Sequence, residues 1–346
     1  MSTDSPSKNS SYIIKWLQIG MILVLLMVVI GGITRLTQSG LSMVHWKPLH
    51  FLPPLNETQW QEEFAAYQTS PEFQHFNTHF TLSDFKSIYF WEYLHRLIGR
   101  IMGLVFFIPF VYFFVTKKVE SRRLLGQLLL IFIWGGLQGF LGWYMVKSGL
   151  VDNPHVSHYR LALHLFTAFT MISYMYWVVL TLKYPRGNAP REWVTKLPIV
   201  FYFLILLQIV YGAFTAGLKA GFVYSTYPLM QHSFFPQDAV QALKTYGWIS
   251  VFENHAMVQF THRWLGFIVL GLILGLYIQL KNKAISSHFK FAFRAVVILI
   301  TLQFILGVLT LLLHVPIVLA VMHQLVAALL LLAVVRVWYW GRMEVR

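Results

Sequence analysis

Four of the fourteen histidines, His95, His164, His262 and His323, sit inside long apolar stretches, where an ionisable side chain is costly and usually functional. They are matched in twos. His95-Arg96-Leu97-Ile98-Gly99 corresponds to His262-Arg263-Trp264-Leu265-Gly266, and His164-x-x-x-Ala168 to His323-x-x-x-Ala327. All four fall within a turn or two of the outer ends of their predicted helices and therefore share one depth. One histidine from each of two adjacent helices can grip a haem iron from both faces through imidazole nitrogen. Zinc is the rival ligand, but structural zinc gathers four ligands, normally with cysteine or carboxylate help. Interhelical hydrogen bonding by each histidine is the plainer alternative. A repeated set of four, among abundant aromatic and methionine side chains, favours a flat apolar macrocycle. Which histidines pair with which stays open.

Glu92 stands three residues before His95, and Gln259 three before His262. An i, i+3 pair shares one helix face, so one half places a carboxyl group beside its histidine while the other keeps the shape without the acid. That asymmetry suggests one reactive site and one electron-carrying site, with Glu92 as general acid or base; a carboxylate in water at a helix end is the alternative. Arg96 and Arg263 follow the histidines. Binding of haem propionates through charge-assisted hydrogen bonds and anchoring of the outer helix ends are two roles the sequence leaves open.

The elements that must position these residues are membrane spans. Of 346 residues, 57% are hydrophobic and 12% charged, beyond what a soluble domain tolerates on its surface. Eight apolar runs are long enough to cross a ~30 Å hydrocarbon core: 16–34, 90–115, 126–146, 160–182, 197–216, 257–280, 295–313 and 317–338. The fold expected is all-α, with eight transmembrane helices as two pseudo-symmetric four-helix bundles. A third repeat falls between the histidine motifs: Leu137-Gln138-x-x-Leu141-Gly142 matches Leu302-Gln303-x-x-Leu306-Gly307. The three matches keep one order, at offsets of 167, 165 and 159 residues (262 − 95, 303 − 138, 323 − 164). Two halves of the same orientation follow, related by an axis roughly along the membrane normal. The expected divisions are a tail 1–15, a first half 16–183, a linker 184–196, a second half 197–338 and a tail 339–346.

The net charge of +14 comes from short basic clusters between spans, the pattern of membrane topology, and not from a nucleic-acid-binding domain. Lys8, Lys15, Lys117, Lys118, Arg122, Arg123, Lys183, Arg186, Arg191, Lys196, Lys281, Lys283, Lys290, Arg294, Arg336, Arg342 and Arg346 lie on one side and place both termini in the cytoplasm. The outer connections, 35–89 and 217–256, are long. The first should hold an amphipathic helix near Thr58–Tyr67 and another starting at Thr81-Leu82-Ser83-Asp84, packed as a folded cap by Trp46, Trp60, Phe64 and Tyr67. His45, His50, His75, His79, His155, His158, His232, His255, His288 and His314 read as surface or turn residues. No cysteine is present, which excludes disulfides, thiolate-bound haem and iron–sulfur clusters.

The stretch Gly31-Gly32-Ile33-Thr34-Arg35-Leu36-Thr37-Gln38-Ser39-Gly40-Leu41-Ser42-Met43-Val44-His45-Trp46-Lys47-Pro48 resembles the signature that follows the first span of haem A synthases, in the longer mitochondrial and proteobacterial type. Glu92-Tyr93-Leu94-His95-Arg96, Gly212 to Gly217 with Tyr227-Pro228-Leu229-Met230, and Glu253-Asn254-His255 through Gln259-Phe260-Thr261-His262-Arg263 are similar to it as well. The resemblance runs from about residue 16 to 338. It implies a bacterial inner-membrane enzyme that oxidises a methyl group of haem O to a formyl group, giving haem A for terminal oxidases. It implies further that His95 and His164 serve the substrate site with Glu92 as catalytic carboxyl, and that His262 and His323 hold a haem b cofactor. Cysteine pairs found in the outer loops of some members have no counterpart here. His158 stands where a non-ligating residue would be expected.

The mechanism expected is two successive oxidations at the methyl carbon, the first to an alcohol and the second to a gem-diol that loses water. Partners implied are haem O, a haem O synthase, an electron donor the sequence does not identify, and membrane lipid; a homo-oligomer is left open. A di-haem, quinol-linked electron carrier is the runner-up, which gives no reason for the Glu92/Gln259 asymmetry. A transporter is a third reading, resting on the repeated halves and Gly135-Gly136, and would require broken mid-membrane helices.

Overall fold

The computed structural model describes residues 8–47, 51–119, 121–151, 154–184 and 192–343. Pro48, His50, Arg186, Arg191 and Arg346, most of the 184–196 linker and the far ends of both tails lie outside this set. The helices are α1 (Lys8–Leu36), α2 (Glu57–Gln68), α3 (Leu82–Val115), α4 (Arg122–Lys147), α5 (His158–Lys183) and α6 (Glu192–Gly217). They continue as α7 (Gln237–Tyr246), α8 (Ser250–Glu253), α9 (His255–Leu280), α10 (Ser287–Leu312) and α11 (Ile317–Gly341). Among the described residues, eight helices are long and apolar enough to cross a membrane: α1, α3, α4, α5, α6, α9, α10 and α11. Seven of the eight expected spans sit inside one of them, and the span 295–313 overruns α10 by one residue, its C-cap Leu313. The architecture is that of an all-helical, multi-pass membrane protein.

Polar residues mark where helices begin, because the first N–H groups of a helix lack partners. Ser121 accepts from Leu124 N, Asn254 from Ala256 and Met257 N, and Ser286 from Phe289 N. Thr81 and Asp84 form a reciprocal capping box at the start of α3. The structure corrects the sequence reading at this point. The helix beginning at Thr81 is not a separate outer helix; it runs unbroken into the second span, through Pro109. His95 therefore lies in the fourth turn of α3, whose first turns belong to the outer cap. α4 likewise passes through Gly135-Gly136 without interruption, so the broken helix that a transporter would need is not found there.

The chain divides into two compact units, with the boundary inside α5 between His164 and Leu165. In the N-terminal unit α1 lies along α3, and the Trp16 indole donates to Val105 O at 2.9 Å. Its outer cap is an aromatic cluster of Phe64, Tyr67, Phe85 and Tyr89, with Met43 and Ile88, against which Trp60 packs. Trp46 stays half exposed and lies under the Arg96 guanidinium. The C-terminal unit packs α6, α10 and α11 closely, with Trp177 of α5 against Trp338 and Tyr339. Its outer cap gathers Tyr224, Met230, Ala239, Ala256 and Met257, tied by Tyr224, whose hydroxyl donates to Asp238 at 2.5 Å. Burial and that hydrogen bond push the Tyr224 phenol up to about 12.

Candidate functional site

Within the N-terminal unit, His95 of α3 and His164 at its boundary come close enough for their charges to interact; within the C-terminal unit His262 of α9 and His323 of α11 do the same. Each unit thus contains one histidine of either motif. Among the described residues no three His, Cys, Asp or Glu side chains gather as a metal cage. Imidazoles in twos are the donor set of a six-coordinate haem iron and not of structural zinc.

Each of the four rings rests on a glycine of another helix. A Cβ added to Gly31 of α1 would lie 3.1 Å from His95 Nε2, and one on Gly142 of α4 3.4 Å from His164 Cε1. On Gly212 of α6 it would lie 3.2 Å from His262 Cε1, and on Gly307 of α10 2.8 Å from His323 Cε1. Four cradles that a methyl group would fill let an imidazole sit against helix backbone. All four glycines fall within the repeated or family-like sequence motifs.

Four residues before three of the glycines stands a glutamine, on the same helix face. Gln138 Nε2 donates to His164 O at 3.1 Å and Gln208 Nε2 to His262 O at 2.9 Å. Gln303 meets the ring itself. His323 Nδ1 donates to Gln303 O at 3.0 Å, and Gln303 Nε2 approaches His323 Nε2 at 3.3 Å. An Nδ1–H held by a carbonyl fixes the tautomer and leaves the lone pair on Nε2, the usual way a ligating histidine is oriented. The fourth position, on α1, holds Met27. The spacing Gln-x-x-x-Gly, present on three helices, is the signal that could have found this shell.

Glu92 is buried, at 3% exposure, yet it is fully engaged. Its Oε2 accepts from the Ser42 hydroxyl at 2.7 Å and from Met43 N at 2.8 Å, and its Oε1 from Arg96 Nη2 at 2.5 Å. The alternative of a carboxylate in open water is therefore not what the structure shows. Arg96 also donates to Met43 O and His45 O, and Arg100 to Lys47 O. A strap formed by residues 42–47 is held down on α3 at 92, 96 and 100, positions one turn apart. The C-terminal unit repeats this with different chemistry. Arg263 donates to Tyr224 O and Thr226 O, both at 2.7 Å, and the buried Gln259 donates to Tyr224 O at 2.9 Å. Among the described residues, Gln259 Oε1 and Arg263 Nε are buried there without a hydrogen-bond partner.

A haem fits these residues on observations of the protein itself: imidazoles in twos, a glycine cradle behind each ring, and in the C-terminal unit a buried His262 Nδ1 and Arg263 Nε with no hydrogen-bond partner among the described residues.

Comparison with known proteins agrees in kind. A protein named "Heme A synthase" from Flavobacterium psychrophilum is 46% identical over 328 residues, spanning 94% of this chain and 96% of its own length. One of that name from Nitrosospira multiformis is 42% identical over 336 residues, spanning 96% and 92%. Another, from Wolbachia pipientis wMel, is 42% identical over 328 residues, spanning 91% and 88%. The family described as cytochrome oxidase assembly protein (COX15-CtaA) matches residues 14–335. With nearly the whole length matched, the chain belongs to that family.

Proposed function

We propose that this chain is a haem A synthase, an enzyme that oxidises a methyl substituent of haem O to a formyl group and so supplies haem A to a terminal oxidase. The carrying observation is the contrast between two alike sites. Each unit offers a histidine couple on glycine cradles, but only the N-terminal one sets a buried carboxyl group, Glu92, a turn away from its histidine. A di-haem electron carrier accounts for both couples and leaves that contrast without a purpose.

In this reading His95 and His164 hold the iron of haem O, and His262 and His323 hold haem b. Haem b would supply one-electron transfer, drawing on a donor outside the chain. The chain's own residues do the rest. The strap at 42–47 closes the outer end of the N-terminal unit. Ser42, whose hydroxyl donates to Glu92 Oε2, offers the first partner for a proton that Glu92 takes up or gives back. Each of two successive oxidations would consume one dioxygen, two electrons from that donor and two protons, inserting one oxygen atom at the methyl carbon and releasing the other as water, first to the alcohol and then to the gem-diol, which loses water to the aldehyde. Arg96 and Arg263 fasten the outer connections and are the residues that would bind the propionates of a haem. Arg263 Nε keeps a buried donor for that use. The lysine and arginine pattern supports a topology with both termini in the cytoplasm of a bacterial cell and both couples towards the outer face. A haem O synthase is the partner reaction that must supply the substrate.

The test is co-expression with a haem O synthase, followed by pigment extraction from the purified wild type and from His95→Ala. Wild type should yield haem O, its hydroxylated intermediate or haem A; His95→Ala should yield haem b alone. Full conversion by His95→Ala would overturn the site.

A further inference from the structure

Both sites hold a haem between two histidines, but a substrate has to leave and a cofactor has to stay. This contrast rests on the function proposed above, and the structure contains one residue that answers it. The α1–α3 and α6–α9 contacts match closely. Gly31 and Gly212 cradle His95 and His262, and the carbonyls of Met43 and Tyr224 receive Arg96 and Arg263. In both cases the residues on the cradle side are 181 apart (212 − 31, 224 − 43). The same offset carries Met27 onto Gln208 (208 − 27). Both side chains pack on matched glycines: Met27 Cε lies 3.7 Å from where Gly99 would carry a Cβ, and Gln208 Nε2 lies 3.0 Å from that of Gly266.

What differs is the bond. Gln208 donates to the peptide carbonyl of His262 itself, which fixes the register of α9 on α6 at the level of the ligand. Gln138 ties α4 to the peptide carbonyl of His164 in the same manner, and Gln303 ties α10 to the His323 ring instead. Met27 has no hydrogen to donate; its thioether gives an adaptable apolar contact that tolerates sliding. α1 does hold α3 elsewhere, through Trp16, whose indole donates to Val105 O at 2.9 Å well away from the ligand, and through Thr34, whose hydroxyl reaches Trp91 O at 3.2 Å while also donating to Ile30 O at 2.8 Å. That shared bond lies a turn away from the ligand.

We propose that Met27 is a positioning residue that makes His95 the releasable ligand, so that the N-terminal site exchanges its haem while Gln208 keeps the C-terminal site closed. Of the four histidines, His95 is the one whose helix can shift at the ligand without breaking a glutamine bond. A small shift of α3 frees one face of the iron, which also lets the product depart.

The test uses the full chain in detergent, carrying its pigments, with apomyoglobin as haem acceptor. Extraction at intervals separates haem b from haem O and haem A, so each site is followed by its own pigment. Met27→Gln should slow loss of haem O and haem A about fivefold, the factor that a net hydrogen bond of ordinary strength supplies, and leave haem b loss unchanged. Gln208→Met should speed haem b loss about fivefold and leave the other pigments unchanged. Release at the wild-type rate in both variants, or an equal change in both pigments that tracks the melting midpoint, overturns the proposal. Should Met27→Gln not fold, Gln208→Met alone decides by the same criterion. A purified wild type that binds no haem when haem is supplied would instead sink the function proposed above, and this inference with it.

Discussion

Glu92 and Arg96, one turn apart on α3, form an ion pair at 2.5 Å with side-chain exposures of only 4% and 9%. A buried pair of this kind is weak grounds for stability in itself, since desolvation offsets the attraction. Its meaning lies in its neighbours. The same carboxylate holds Ser42 and Met43, and the same guanidinium holds Met43 and His45. The pair is thus the point at which the strap is fastened to the helix that carries His95, and the proposed acid is also a structural clasp.

Arg96→Ala should therefore destabilise strongly, by about 3–5 kcal/mol, because it leaves Glu92 charged, buried and without its cation. Adding Glu92→Gln should recover much of that loss, since an amide stands buried at the matched position, Gln259, without a charge to compensate. Melting midpoints of the two single variants and the double variant in detergent close the cycle. If the double variant loses the sum of the single losses, the two side chains are not coupled.

Glu92→Gln alone should keep both pigments bound and lower formation of the oxidised product by about 10²–10⁴-fold, the usual contribution of a positioned acid or base. Ser42→Ala should lower it less, because Met43 N and Arg96 still orient the carboxylate. Extracted pigments, normalised to protein, give the comparison. Wild-type turnover by Glu92→Gln would leave the carboxyl with its clasp role only.

The spans were legible because hydrocarbon demands long apolar helices whatever their partners. The matched histidines were legible because a charge-bearing side chain in such a run stands out. The cap at Thr81 was read correctly as a helix start, but nothing in the local sequence separates an outer helix that stops from one that continues into the membrane. Continuity was settled by packing of Phe85, Ile88 and Tyr89 into the cap. Gln138, Gln208 and Gln303 were hidden for a different reason. Each bonds to a residue 20 to 54 positions away, and one sequence does not say which helix faces which. Glu92 was singled out, whereas its engagement by Ser42 and Met43 depends on a strap some fifty residues earlier.

The glycine cradles give a graded prediction. An added methyl group would lie 2.8 Å from the His323 ring at Gly307, 3.1 Å from His95 at Gly31, 3.2 Å from His262 at Gly212 and 3.4 Å from His164 at Gly142. The first is closer than carbon atoms approach without displacement, and the last is near ordinary contact. Gly103, also on α3, would meet nothing within 4 Å. In absorbance at the Soret band per mole of protein, Gly307→Ala should lose most of the haem b contribution and Gly142→Ala the least of either pigment. Gly31→Ala and Gly212→Ala should fall between, each at its own site, and Gly103→Ala should match wild type. Because alanine favours a helix over glycine by about 1 kcal/mol, these variants should fold at least as well as wild type, so lost pigment reports the displaced imidazole. Uniform retention of haem across the series would mean that the rings do not dock on these helices when haem is bound.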